Sequence, residues 1–227
     1  MSSADIKTNL QEVQKRIAAA CIRAGRSPGE VTLVAATKTL GAATIESAYK
    51  LGIHHFGENR VQEASDKIES LNHLTPRPTW HMIGRLQSNK VKTALEVFDV
   101  IQSVDSVELA EAIDSKSQRR VKRMPVFLQV NISGESAKGG FSLKQIDADF
   151  SRLNCLPQIE IRGLMTIAPI SDHQEKVRPI FRTLRQLGQY LHLQQLSMGM
   201  TDDFEIAIEE GATLIRIGRA IFGERNQ

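Results

Sequence analysis

The apolar positions of this chain change period repeatedly, from every third or fourth residue to short continuous runs and back. Ile6, Leu10, Val13, Ile17 and Cys21 recur at spacings of three and four, which predicts an amphipathic helix from about Ser3 to Ala24. Gly25 and Pro28 end it. The run Val31-Thr-Leu-Val-Ala-Ala-Thr-Lys38 is too short for a helix and is rich in β-branched residues. It predicts a strand covered on both faces, as in a parallel sheet wrapped by helices. Helical spacing then returns at Ile45, Ala48 and Leu51, and Gly52 stops it.

The alternation continues to the end of the chain. Short strands are expected at His54–Phe56, Trp80–Ile83, Val100–Ser103, Val126–Ile132, Ile159–Ile167, Leu196–Met198 and Leu214–Ile217. Between them lie helical stripes: Val61, Ala64, Ile68 and Leu71; a mostly helical Leu86–Phe98; and Val107, Ala110 and Ile113. Leu143, Ile146, Phe150 and Leu153 follow, then Val177, Ile180, Leu184, Leu187 and Leu191, then Ile206, Ala207 and Glu210. Asp105 with Glu108, and Ser142 with Gln145, carry the three-residue spacing of helix starts. About eight strands alternating with helices at this length predict a single (β/α)8 barrel, with an extra N-terminal helix, as one domain over residues 1–227.

Composition narrows the function classes. The 227 residues carry a formal net charge of +3 and a 41% hydrophobic fraction, ordinary for a globular chain. No apolar run approaches the roughly 18 residues of a membrane span. Cys21 and Cys155 show no metal or redox spacing and read as thiols of a reducing cytosol. No GxGxxG or GxxxxGK[ST] motif is present, which counts against dinucleotide and P-loop binding. The basic run Lys116, Arg119, Arg120, Lys122, Arg123 has no interleaved aromatics and suits a helix C-terminus, so no nucleic-acid role is expected.

In barrels of this kind the strand C-termini converge on one functional face. The residues there are Lys38, Asn59, Gly84 with His81 just before it, Ser103, Asn131, Met165, Ser197 to Thr201, and Arg216 to Arg219. The set holds an amine nucleophile but no glycosidase-type carboxylate pair and no metal-ligand cluster. Lys38 reads either as a lysine reaching to solvent or as a Schiff-base amine among small neighbours. The loops after strands seven and eight are a common phosphate site. Asp202 and Asp203 already occupy the first helical turn after Thr201, so more of an anion is expected on Gly218 and Arg219.

The motifs Ala35-Ala-Thr-Lys38-Thr, Phe56-Gly-Glu-Asn-Arg-Val-Gln-Glu63, Trp80-His-Met-Ile-Gly-Arg-Leu-Gln-Ser-Asn-Lys90, Gln129-Val-Asn-Ile132, Arg162-Gly-Leu-Met165, Leu196-Ser-Met-Gly-Met200, Arg216-Ile-Gly218 and Ile221-Phe-Gly223 occur in order along nearly the whole chain. Together they closely resemble the pyridoxal phosphate homeostasis protein family. That family is a single alanine-racemase-like barrel (fold type III) that binds pyridoxal 5′-phosphate, PLP, at the C-terminal face of the strands. The resemblance implies a Schiff base on Lys38 and Arg216 facing the pyridine nitrogen. It implies Ser197, Thr201 and Gly218 around the phosphate, and Asn59 and His81 near the ring or its 3′-oxygen. Arg219 stands where relatives often carry Thr, so its backbone rather than a hydroxyl would meet the phosphate. Lys138, in a Gly-rich loop, reads as a solvated lysine, with a second transient PLP site as the alternative.

A racemase needs a base on each face of the substrate carbon. In alanine-racemase-like enzymes the second base is a Tyr from a further domain. Here the chain ends at Gln227, and Tyr49 and Tyr190 both fall in outer helical patterns. An arginine at the pyridine nitrogen also weakens the cofactor's electron sink. The expectation is a cytoplasmic, monomeric PLP carrier without robust catalysis, serving apo PLP enzymes. The alternatives are a slow PLP enzyme such as a racemase, and a barrel for another phosphorylated metabolite.

Overall fold

Eight short parallel strands close on one another in chain order: β1 (Thr32–Ala36), β2 (His55–Glu58), β3 (Thr79–Met82), β4 (Val100–Val104), β5 (Met124–Gln129), β6 (Ile159–Met165), β7 (Gln195–Ser197) and β8 (Leu214–Ile217). This arrangement comes from a computed structural model, which describes residues 3–118, 122–135, 138–171 and 173–224. The helices are α1 (Ser3–Arg23), α2 (Ala42–Lys50), α3 (Val61–Ser70), α4 (Val91–Val97), α5 (Val107–Lys116), α6 (Leu143–Asn154), α7 (Arg178–Tyr190), α8 (Phe204–Glu209) and the short α9 (Arg219–Phe222). The expected α/β barrel with an extra N-terminal helix is therefore present. Arg119 and Arg120 of the basic run lie outside the described residues, as does Gln227.

The two-residue period of the strands sorts their side chains. Ala35, Phe56, Trp80, Ile101, Leu128, Leu164, Leu196 and Ile215 join the large core between sheet and helices. Val34, Val100, Phe127, Met165 and Leu214 form a separate small cluster that fills the barrel itself. Register places Ala35 of β1 opposite Ile217 of β8, and Ala36 opposite Gly57 of β2. The ends of β1 and β8 therefore finish side by side. Helix α1 buries its predicted stripe and is pinned to α8 by Arg16–Glu205 at 2.9 Å and Arg23–Glu209 at 2.6 Å.

Several local expectations shift. Helix α4 begins only at Val91, because Gln87-Ser88-Asn89 precede it and such side chains compete for backbone hydrogen bonds; a 3₁₀ turn spans Ser88–Lys90 instead. The cap of α5 is Ser106, not Asp105: its Oγ accepts from the Leu109 N–H at 3.2 Å. The Ser142/Gln145 capping box forms as expected, but Leu143 is exposed rather than inward. Tyr190 is exposed and donates to Asp147, while Tyr49 donates to the Pro76 carbonyl. No helix among the described residues is long and apolar enough to cross a membrane, and none of their His, Cys, Asp and Glu side chains group as metal ligands.

Candidate cofactor site

Lys38 continues the inward series Thr32, Val34, Ala36 one step beyond the strand. It is carried on a tight turn, closed by the Leu40 N–H donating to the Thr37 carbonyl at 3.0 Å. Thr39 within this turn has φ 67°, a left-handed conformation that costs a β-branched residue strain. Beside the turn, at the C-terminal ends of β1 and β8, opens a cavity of about 270 Å³ lined by Ala36, Thr39, Leu40, Gly218, Arg219 and Phe222. Gly218 heads α9, and no side chain among the described residues caps it. The Thr201 hydroxyl sits against the same turn, accepting from the Ala220 N–H at 3.5 Å. The Arg219 guanidinium is engaged by Asp202 and by Glu224, which leaves its backbone to face a ligand.

Arg216 lies beneath this mouth, fully enclosed in the barrel. Its Nη1 donates to Ser197 Oγ at 2.5 Å and its Nη2 to the Thr166 carbonyl at 2.8 Å. Burial lowers its pKa to about 10, opposed by the carboxylate of Asp203, so it remains a cation at neutral pH. Ser197 then donates to Gln102 Oε1 at 2.6 Å. Gln102 Nε2 contacts His81 Nδ1 at 2.9 Å, and His81 Nε2 contacts His55 Nδ1 at 3.1 Å. A single hydrogen-bonded file thus threads the barrel from Arg216 to the opposite mouth.

Three of the expected residues lie away from this cavity's surface. His81 does not face the C-terminal mouth. It is bonded to His55, the first residue of β2, and lines the opening at the N-terminal ends of the strands with Thr32, Thr79, Val100 and Leu214. Ile83, just past β3, packs toward Gly57 of β2, its Cδ1 2.8 Å from where a Cβ on Gly57 would be. Ser197 does not offer its hydroxyl to a phosphate at the surface, since it is fully buried and committed to Arg216 and Gln102. Met165 is a filler of the barrel interior, packed with Val34 and Phe127 rather than exposed in the cavity.

Asn59 does reach the C-terminal face, two residues past Gly57 on β2. It lines a neighbouring hollow with Arg60, Gly84 and Arg85. A Cβ on Gly84 would stand 2.4 Å from the Asn59 carbonyl oxygen, so β3 can pass this close only with glycine there. Ser103 is buried, with its hydroxyl unpartnered, and Asn131 ties its loop by donating to the Glu135 and Lys138 carbonyls. The Lys138 amine is paired with Glu135 at 3.0 Å.

Reading the sequence missed Gln102, Thr166, Glu58 and Lys67. Gln102 alternates with Val100, so its inward position was encoded in the strand period. Lys67 stands three residues from Ala64 on the buried face of α3, an apolar-face lysine that helical spacing exposes.

Comparison with known proteins agrees with this fold. The alanine racemase N-terminal domain model matches residues 2–226. The pyridoxal phosphate homeostasis protein of Aquifex aeolicus is 43% identical, aligned over 95% of this chain and 96% of that one. Its Escherichia coli K12 counterpart is 40% identical over 98% and 97%. The structure of PipY from Synechococcus elongatus with PLP bound matches with a TM-score of 0.83 and 39% identity, over 93% of this chain and 100% of that one. Alanine racemase from Bartonella henselae shares the fold alone, at 12% identity and a TM-score of 0.72 over 62% of its length. At this identity and coverage, the chain belongs to the pyridoxal phosphate homeostasis protein family.

Proposed function

We propose that this protein holds PLP reversibly on Lys38 and gives it up again, buffering the cofactor rather than using it. The observation that carries the reading is the convergence at one mouth of three elements: the Lys38 turn, the uncapped Gly218 turn across the cavity, and the buried Arg216 cation beneath. PLP-bound PipY, similar over nearly the whole chain, supports the same ligand. PLP, when bound, supplies an aldehyde for covalent capture and a ring that can delocalise charge.

Each residue has a role in that scheme. Lys38 would hold the cofactor through reversible condensation of its amine with the aldehyde, water being lost on capture and regained on release. Backbone N–H groups at Gly218 and Arg219, with the Thr201 hydroxyl, receive the phosphate. Arg216 keeps N–H groups beyond the two used by Ser197 and Thr166, and these would hold the pyridine nitrogen. A guanidinium has donors only, so it holds that nitrogen unprotonated and damps carbanion chemistry. Asn59, at the C-terminal end of β2 in the neighbouring hollow, would stand on the ring side.

Neither tyrosine is placed to serve as a second base: Tyr190 on α7 is held by Asp147, and Tyr49 on α2 by the Pro76 carbonyl. The four exposed large apolar side chains among the described residues, Ile22, Leu143, Ile170 and Tyr190, lie on separate elements, which supports one domain acting as a monomer. Its recipients are apo PLP enzymes of the cytosol, where Cys21 and Cys155 stay thiols. The visible spectrum tests the reading. Wild-type protein with PLP is expected to be yellow, and Lys38→Ala to lose the band. A wild-type protein that stays colourless with added PLP overturns it.

A further inference from the structure

Behind the Lys38 turn, on the face away from the cavity, lies a buried ionic cluster. Lys67, on α3, is 8% exposed. It donates to three acceptors: the Thr37 carbonyl at 2.9 Å, Glu58 Oε1 at 2.8 Å and Glu63 Oε1 at 2.6 Å. An ammonium has three protons, and all three are used. Glu58, the last residue of β2, has no exposure at all and also accepts from the Thr37 hydroxyl at 2.6 Å. Glu63 accepts from the Thr39 N–H at 2.5 Å. The residues on either side of Lys38 are therefore both tied to one charge cluster.

Such a cluster is a poor way to gain stability. The Glu58 carboxylate and the Lys67 ammonium have been taken from water, with Glu63 partly exposed at the edge, and apolar packing of the same volume would serve as well. Glu58 Oε2 is left buried with no partner. What the cluster does supply is geometry. It fixes the carbonyl and hydroxyl before Lys38 and the amide after it, and it holds Thr39 in a conformation a β-branched residue avoids.

We propose that Lys67, with Glu58 and Glu63, forms a positioning clamp for Lys38: it holds the Thr37–Leu40 turn so that the Lys38 amine stays presented to the Gly218 side of the mouth. The clamp touches neither cavity nor cofactor. It acts through the backbone, and it rests on the reading of Lys38 as the PLP tether.

The test uses Glu63→Ala, Glu63→Gln, Lys67→Met and the double variant Lys67→Met/Glu58→Gln. The double variant removes the uncompensated buried charge and keeps an acceptor for Thr37. In protein without PLP, exchange of the Thr39 amide is expected to quicken about tenfold in Glu63→Ala, the scale of one lost charge-assisted hydrogen bond, and also to quicken in the double variant, where Glu63 remains as acceptor but loses the ammonium that holds it in place. Glu63→Gln, which keeps the acceptor, restores it. In protein loaded with PLP, release, followed by loss of the visible band, is expected to quicken by a similar factor in the same variants. Unchanged exchange and release in folded Glu63→Ala and double variants, beside a normal wild-type band that Lys38→Ala abolishes, overturns the clamp and leaves the tether standing. A wild-type protein without a band overturns the tether and the clamp together.

Discussion

Arg216 donates to Ser197 Oγ at 2.5 Å inside the barrel, where both residues are buried. A guanidinium has only donors, so this one bond sets the direction of every bond that follows. Ser197 must pass its single proton to Gln102 Oε1, which turns the Gln102 amide nitrogen toward His81 Nδ1. His81 therefore carries its proton on Nε2 and donates it to His55 Nδ1. The residue facing the cofactor mouth is thus oriented by a file of side chains that ends on the other side of the barrel.

Cutting this file at its second member leaves two buried groups unpaired. Ser197→Ala strands Arg216 Nη1 and Gln102 Oε1, each fully enclosed. The expected loss is ~2–4 kcal/mol, from about 1–3 for each unsatisfied group with partial relief by relaxation. Urea unfolding at pH 7 measures it. A midpoint within error of wild type would show that the interior bond carries no stability.

His81 gives the fold a pH dependence of known sign. Burial first, and the neighbouring His55 second, lower its pKa from 6.5 to about 3. Between those values the unfolded chain binds a proton and the folded chain does not. Stability therefore rises with pH across the window and is lost as pH falls, with a limiting slope of about 1.4 kcal/mol per pH unit from this one group. Below about pH 3 its contribution levels off. Urea unfolding at pH 7, 5.5 and 4.5 is expected to be less steep in pH for His81→Gln than for wild type. Parallel pH curves would remove His81 as the source.

Gly84→Ala tests the crossing beneath Asn59. The added Cβ would meet backbone 2.4 Å away, and backbone cannot swing aside as a side chain can. A loss of ~1–3 kcal/mol is expected from the forced shift. Because the shift displaces Asn59, a PLP titration should weaken as the melting temperature falls. A melting temperature equal to wild type would show that the two strands have slack there.

Tyr49→Phe and Tyr190→Phe address catalysis directly. Each hydroxyl is occupied at the outside of the barrel. Alanine racemisation by wild-type protein is expected to sit at the Lys38→Ala background, and neither variant should change it. Turnover above that background that falls in one of the two would make that tyrosine a working base.

Much of this protein was legible as pattern. Stripes such as Ile6 to Cys21, and strand runs such as Leu214–Ile217, are local signals, because helix and strand periods follow from backbone geometry alone. Eight alternations in 227 residues then leave few topologies, and the ordered motifs around Lys38, Gly84 and Gly218 place the chain in its family. What only the tertiary structure decided is which polar partner each inward side chain takes. Ser197 finds Gln102 across 95 positions of sequence, and His81 is drawn down to His55 across 26. A strand period says that His81 and Ser197 face inward, not toward which end of the barrel they lean. Lys67 and Glu58 show the same limit from the other side. A charged pair reads as solvated until the fold brings a helix over the end of β2, and burial then turns it into a contact that fixes the Lys38 turn.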